Sequence, residues 1–471
     1  MTVGTSTQGA TEQDGLPTPQ RYWAATTIWL ALTLSVLDGS IANVALPTIA
    51  ADLRAPAADS VWVVNAYQLA IVVSLLPMAA IGEMIGFRRV FQHGIIVFTL
   101  GSLGCTLAHS LPTLAFARAI QGFGAAGIMS QNGALVRFTY PSKMLGRGLG
   151  LNALVASAGA ALGPTVASGI LAMASWQWLF AVNVPIGIGA YLLGRKSLPD
   201  NPKSGEFDLL GTLLNASTFG FGFIGIDLLT RGGNIWIGMV TVAIGTTAAA
   251  GLFFHSRSQA EPIVPFDLLR NPVFSLSVAT SIASFAAQML AFVSLPFFFE
   301  SALHRSQVET GLMMTPWPLA VGIGAPIAGR LADKVSAAVL GAAGLLVLCA
   351  GLALLACLPA NPSWGEISWR MALCGLGFGF FQAPNNRSML SAAPLSRSGA
   401  AGGMLATARL TGQTIGAILA AISFRAAAHS EIVALSAAAT LAGVAAVASA
   451  ARLYHPGGAL PPKAAIVANT P

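Results

Sequence analysis

The sequence predicts an all-α polytopic membrane protein, built as two six-helix bundles with two extra helices between them, fourteen spans in all. Three observations predict it. Only 9% of the 471 residues are Asp, Glu, Lys or Arg, against about a quarter in a water-soluble domain. The apolar residues, 55% of the chain, fall in runs of about 20 separated by short clusters of Gly, Pro, Arg and Asp, the length that crosses a hydrocarbon core. The second half of the chain also repeats landmarks of the first, with Glu83 and Asp333, for example, standing 250 residues apart.

The apolar runs begin near Trp23, Val61, Val90, Leu114, Leu149, Trp178, Leu209, Ile235, Val273, Leu312, Ala337, Met371, Ala400 and Ile432. Pro185 interrupts the run from Trp178, and Pro318 and Pro326 interrupt the run from Leu312. Membrane helices tolerate such prolines where neighbours re-satisfy the backbone. Residues 1–20 are rich in Thr, Gln and Gly and lack a basic leader region, so they are expected to be a disordered tail and the first run to stay as a span.

An even number of spans puts both termini on one side. With that side cytoplasmic, 17 of the 24 Lys and Arg residues fall inside, four (Arg54, Arg231, Arg305, Arg425) fall outside, and three (Arg118, Arg370, Arg409) fall within spans. This positive-inside bias makes the net charge of +7 a sign of topology rather than of a nucleic-acid surface. The four cysteines lie in apolar runs without ligand spacing, so they read as packing residues. No metal, disulfide or cofactor is implied.

The repeat fixes the domain organisation. Gly82-Glu83-Met84-Ile85-Gly86-Phe87-Arg88-Arg89 is echoed by Gly329-Arg330-Leu331-Ala332-Asp333-Lys334-Val335-Ser336, Arg118 by Arg370, and Gly159 and Gly163 by Gly412 and Gly416. Colinear matches at nearly one offset, 250 to 253 residues, indicate two homologous halves, the plan of a secondary transporter whose site lies between them. The halves are expected at residues 21–198 and 273–455. Linkers and the extra helix pair fill 199–272, and 456–471 is a C-terminal tail.

With these residues in view, the chain resembles the major facilitator superfamily, and within it the fourteen-span drug:proton antiporters. Leu37-Asp38-Gly39-Ser40-Ile41-Ala42-Asn43-Val44-Ala45-Leu46-Pro47 is similar to the first-helix signature of that group, with Ser40 and Ala42 as departures. Trp62 to Leu69, Arg118 to Gly124, and Gly159 to Gly169 with Gly163-Pro164 resemble the second-helix opening, the fourth-helix arginine motif and the fifth-helix antiporter motif. The loop after the second helix departs from the superfamily pattern at Ala79, Glu83, Met84 and Phe87 but keeps Gly86 and Arg88. There the resemblance implies a cytoplasmic gate of Glu83, Gly86, Arg88 and Arg89, matched by Gly329, Asp333 and Lys334. In such a gate, a carboxylate facing a helix N-terminus latches one conformation and glycine permits the turn.

Asp38 is the one carboxylate well inside a predicted span, and an ionisable group there is a functional candidate. Such a group can take a proton from one side and release it to the other as access alternates, and in its charged form it can hold a cation. Arg118 is its natural partner, and the resemblance links the matching arginine to proton coupling. Gly159, Gly163 and Pro164 combine a small-residue face with a bend, which suits close packing across the halves. A substrate cavity of adaptable apolar surface with few polar groups is expected from Asp38, Tyr67, Gln68, Gln121, Met129, Gln288, Met289, Phe292, Phe381, Gln382, Asn385 and Arg409.

The expected function is proton-coupled efflux of lipophilic cations such as quaternary ammonium biocides and dyes, by a monomer in a bacterial inner membrane. The partners are the small molecule, protons and the bilayer. An alternative is export of an endogenous neutral, anionic or lipid-like metabolite, because three intramembrane arginines face one aspartate. The chain does not read as an enzyme, since its six histidines do not converge at membrane depth. It has no phosphate-binding G-x-x-x-x-G-K-[ST] loop, so ATP is not the expected energy source.

Overall fold

The computed structural model describes residues 15–455 except 142–143, 201–207, 231–234, 258, 260–267, 333, 360, 394–397 and 427–429. Asp333 of the expected gate, most of both linkers, residues 1–14 of the N-terminal tail and all of the C-terminal tail therefore lie outside the described residues. The N-terminal helices are α1 (Gln20–Asp52), α2 (Ala57–Ser60), α3 (Trp62–Ile85), α4 (Phe87–Thr106), α5 (Leu111–Thr139), α6 (Leu145–Leu171), α7 (Trp178–Ala181) and α8 (Asn183–Ser197). Then come α9 (Leu209–Thr230) and α10 (Ile235–Arg257). The C-terminal helices are α11 (Pro272–Phe297), α12 (Gln307–Met314), α13 (Pro316–Leu331), α14 (Ala337–Ala356), α15 (Trp364–Ala392), α16 (Ser398–Ala426) and α17 (Ser430–Ala451).

Among the described residues, ten helical stretches are long and apolar enough to cross a membrane. The other long helices, α4, α5, α6 and α15, run 20 to 29 residues. They carry more polar or small side chains and pack among the ten. The two interrupted runs do break, but not at the prolines expected. One breaks at Val182, leaving Pro185 in the first turn of α8, and the other breaks at Thr315, with Pro316 opening α13 and Pro326 inside it. Proline is tolerated in a first turn because the amide it lacks has no intrahelical partner there.

Capping follows the sequence. Ser110, Ser306 and Ser363 each form a reciprocal capping box with Thr113, Glu309 and Glu366. These boxes satisfy the free amides that a helix start leaves unpaired. Buried serines and threonines inside helices, such as Ser35 and Ser102, donate to the carbonyl four residues back, which removes the cost of an unpaired hydroxyl.

The repeat is visible in the helix ends. α4 and α14 begin at Phe87 and Ala337 and end at Thr106 and Ala356, 250 residues apart at both ends. α1, α3, α4, α5, α6 and α8 pack on one another, as do α11, α13, α14, α15, α16 and α17. The two groups meet where α1 touches α11, α3 touches α16, and α6 touches α12 and α13. α9 packs on α3 and α16, so it lies along their seam. Asn215 of α9 donates to Val73 O at 3.1 Å, and Phe223 meets Trp62 edge-on at 5.3 Å. At one end of the seam, Arg425 reaches Asp59 at 3.3 Å and Asp227 at 3.7 Å, joining α16, α2 and α9. The outward faces of α9 and α10 expose Leu209, Leu213, Trp236, Val240 and Phe254, while Asp38, Arg118 and Arg452 are buried. Apolar outside with charge inside is the arrangement a bilayer selects.

Candidate functional site

A cavity of about 200 Å³ opens between the two groups of helices, lined from α1, α3, α5, α6, α11, α13, α15 and α16. Of the residues expected there, Tyr67, Gln68, Met129, Gln288, Met289, Phe292, Gln382 and Arg409 line it. Ser35, Asn43, Phe285, Trp317, Phe378 and Gln413 line it as well. Trp317 was legible from the repeat, because it stands 250 residues after Tyr67. The repeat also explains why both reach the cavity. The backbone of α3 at Tyr67 lies so close to α5 that a Cβ on Gly122 would meet Tyr67 O at 2.5 Å, and a Cβ on Gly375 of α15 would likewise meet Trp317 O. Glycine permits these approaches and presses both aromatic side chains toward the centre.

Four expected cavity residues do not line it. Phe381 is enclosed in the C-terminal core, 5.7 Å from the Phe378 ring. Asn385 is also buried, donating to Ser281 Oγ at 2.8 Å and accepting from Arg452 at 2.9 Å. Both point away because the apolar and amide faces of α15 there are taken up by α11 and the C-terminal turn. The other two, Asp38 and Gln121, belong to a second constellation behind the Tyr67 wall.

That constellation is built around Asp38, which is 1% exposed. Arg118 donates to Asp38 Oδ2, and the Nε2 of Gln121 and the Nδ2 of Asn183 each donate to Asp38 Oδ1 at 2.8 Å. Arg118 is also fully buried; its Nε donates to Val63 O at 2.9 Å, and it donates to Gln121 Oε1 at 2.6 Å. Gln121 in turn donates to Ser102 Oγ at 2.8 Å. The guanidinium lies 4.1 Å from the centre of the Tyr67 ring, whose hydroxyl donates to Ser35 O at 2.9 Å. α1, α3, α4, α5 and α8 thus supply one buried, charge-balanced cluster. Asn183 was not foreseen, although an amide next to Pro185 in an apolar run is a signal of the same kind as Asp38.

The remaining motif residues sit elsewhere. Gly86 joins α3 to α4 at φ +110°, a conformation that side-chain-bearing residues rarely adopt. Arg88 reaches Asp200 Oδ2 at 3.1 Å and the carbonyl of Arg195, so it ties α4 to the end of α8. Glu83, Arg89 and Lys334 are exposed, and Gly329 lies inside α13. The turn that repeats Gly86 is closed by Ser336, whose hydroxyl accepts from Ala338 N at 3.2 Å. Gly159 and Gly163 pack against α1 rather than across the halves: a Cβ on Gly163 would meet Ser40 Oγ at 2.3 Å. The contact across the halves comes next on α6, where Pro164 O and Ser168 meet Gly311 of α12 and Thr165 Oγ1 lies 2.9 Å from Thr315 Oγ1. Cys105 and Cys374 are buried as expected of packing residues, whereas Cys357 is exposed at the end of α14. Among the described residues no group of His, Cys, Asp and Glu is placed to hold a metal ion.

Long apolar helices, a charge-balanced buried cluster and a central cavity between repeated halves define a membrane transporter of small molecules. The chain belongs to the Major Facilitator Superfamily, whose family model matches residues 28–417. It is 49% identical over 451 residues to the uncharacterized transporter YebQ of Escherichia coli (strain K12), covering 94% of this chain and 98% of that protein. It is 31% identical to the riboflavin transporter RibZ of Clostridioides difficile (strain 630), covering 83% of this chain and 85% of RibZ. It is 32% identical to the multidrug resistance protein Stp of Mycobacterium tuberculosis (strain CDC 1551 / Oshkosh), covering 82% of this chain and 73% of Stp.

Proposed function

We propose that this chain is a proton-coupled exporter of lipophilic aromatic small molecules, working by alternating access in a fourteen-span fold. On this reading α9 and α10 are the extra pair, both termini are cytoplasmic, and the protein is a monomer in a bacterial inner membrane. The observation that carries it is the shared Tyr67. This side chain forms part of the cavity wall, and its ring carries the guanidinium that balances Asp38. A proton arriving on Asp38 removes the charge that holds Arg118, and cargo in the cavity bears on the ring that Arg118 lies against. Proton binding and cargo binding thus act on one side chain from opposite sides, which supplies the differential contact that coupling requires.

The signature resemblance implies cargo such as quaternary ammonium biocides and dyes. The aromatic walls at Phe285, Phe292 and Trp317 suit such cations through cation–π attraction, and the name of Stp supports a multidrug reading. One observation favours the second reading, in which the cargo is neutral or anionic. Asp38 is enclosed by three donors, and among the described residues lining the cavity the charged one is Arg409.

The test is proton exchange in proteoliposomes with a panel of dyes, comparing wild type with the double variant Asp38→Asn, Arg118→Gln, which leaves neither charge buried alone. Wild type is expected to exchange protons for at least one dye. The double variant is expected to bind that dye yet release no protons. Normal exchange by the double variant would place coupling elsewhere.

A further inference from the structure

We propose that Arg409 is the anchor for an acidic group on the cargo, so that the molecules carried are aromatic frames bearing one carboxylate or a similar anion. This deepens the exporter reading and rests on the cavity described above. Arg118 and Arg452, both fully buried, show what an arginine at this depth requires. Arg118 donates to Val63 O, Asp38 and Gln121. Arg452 donates to Ser449 O, Ser277 Oγ and Asn385 Oδ1. Each finds at least three acceptors, with Nη2 of Arg118 left unpaired, because a guanidinium does not shed its proton and a buried charge without partners is expensive.

Arg409 differs from both. It lines the cavity, its Nε is buried with no hydrogen-bond partner, and the contact it makes is with the Phe285 ring at 5.6 Å. Among the described residues no carboxylate forms an ion pair with it. Asp38 is held by Arg118, and Asp59 and Asp227 by Arg425. The groups around it are also selective. Gln288, Gln382 and Gln413 line the same cavity and offer amides, while Phe285 and Phe378 offer ring faces, packed edge to face at 5.2 Å. An uncompensated, planar, forked donor beside aromatic walls matches a flat molecule that carries an acceptor-rich anion at its edge. A lipophilic cation would meet like charge at the same place.

The experiment uses two xanthene dyes of similar frame and opposite charge, fluorescein and rhodamine 6G. Their binding to the purified protein in detergent is read by fluorescence anisotropy. Arg409→Gln removes the charge while keeping a polar side chain, and Arg409→Lys keeps the charge but loses the fork. Loss of a charge-assisted hydrogen bond weakens binding by about tenfold or more. Fluorescein is therefore expected to bind Arg409→Gln at least about tenfold more weakly than wild type, and Arg409→Lys to fall between them. Rhodamine 6G is expected to bind Arg409→Gln as well as or better than wild type. The proposal is overturned if wild type binds fluorescein no more tightly than Arg409→Gln does, or if both dyes weaken alike. Binding in detergent needs no gradient, so it separates this proposal from the exporter reading. Charge-selective binding without proton exchange in proteoliposomes would leave the anchor standing and remove the coupling. Exchange driven by rhodamine 6G and unaffected by Arg409→Gln would do the reverse.

Discussion

Replacing Asp38 with Asn is expected to cost the fold more than replacing Arg118 with Gln, because only one of the two charges left behind can be discharged. The pair is 1% and 0% exposed, so solvent cannot take over the role of either partner. Asp38→Asn leaves a fully buried guanidinium with Val63 O and Gln121 Oε1 as its acceptors. Removing one partner of a buried pair costs about 3–5 kcal/mol. Arg118→Gln leaves a carboxylate that still accepts from Gln121 and Asn183 at 2.8 Å, and a carboxylate, unlike a guanidinium, can be neutralised by a proton. The guanidinium keeps its charge throughout. The double variant contains neither charge and is expected to cost less than the sum of the single variants by more than about 0.5 and up to about 3 kcal/mol, the range seen for residues in direct contact. Unfolding in mixed micelles by titration with sodium dodecyl sulfate, followed by tryptophan fluorescence, reads all four corners of the cycle. Additivity within about 0.5 kcal/mol, or a smaller cost for Asp38→Asn than for Arg118→Gln, would refute the argument.

Four further outcomes are expected. Gly122→Ala should destabilise by about 1–3 kcal/mol, since its Cβ would lie 2.5 Å from Tyr67 O; Gly159→Ala, whose nearest neighbour would be Val36 at 3.6 Å, should instead stabilise by up to about 1 kcal/mol, both read in the same titration. Gly86→Ala should cost about 1–3 kcal/mol for the strain of φ +110°, and its transport rate in proteoliposomes should fall with it. Arg425→Gln should release α2 from α16, raising amide hydrogen exchange at residues 57–60 while leaving α14 protected. Finally, burial pushes the Asp208 carboxyl up, but donors from Gly211 N, His255 and Gln259 outweigh it and hold the group below its usual range. A folded-state value below the unfolded one gives stability that is present above the ordinary carboxylate range and lost as pH falls through the folded value. Asp208→Asn should therefore flatten the acid limb of a melting curve taken from pH 6 to pH 3.

The helices and the repeat were legible because both are written in one dimension. Runs of about 20 apolar residues need no partner to be recognised, and glycines 253 residues apart, Gly122 and Gly375, mark backbone approaches that only a residue without a side chain allows. Facing was not legible where helices are buried on several sides. Gln121 and Gln288 are the same residue type in comparable apolar runs, yet one binds Asp38 and the other lines the cavity. Asp38 was found from its depth alone, but its orientation depended on Asn183, 145 residues away, and no spacing rule connects the two. The two glycines of the antiporter motif face a partner other than the expected one for a similar reason, while Pro164 does meet α12 of the other half. A small-residue face announces close packing without naming the partner, and here the partner is Ser40 of the same half.

The register of the repeat bears on how many charges move. α1 and α11 begin at Gln20 and Pro272, 252 residues apart, and that offset carries Asp38 onto Leu290. α11 contains no carboxylate from Pro272 to Phe297, so the second half has no counterpart of Asp38 at that position. On the proposed reading, with one proton entering at Asp38 per turnover, the sign of the cargo sets the electrical balance. Exit of a monovalent cation in that exchange moves no net charge, whereas exit of a monovalent anion moves two. Each elementary charge is worth about 2.3 kcal/mol per 100 mV of membrane potential. On that reading, with an anionic cargo held by Arg409, transport would draw on voltage as well as on pH.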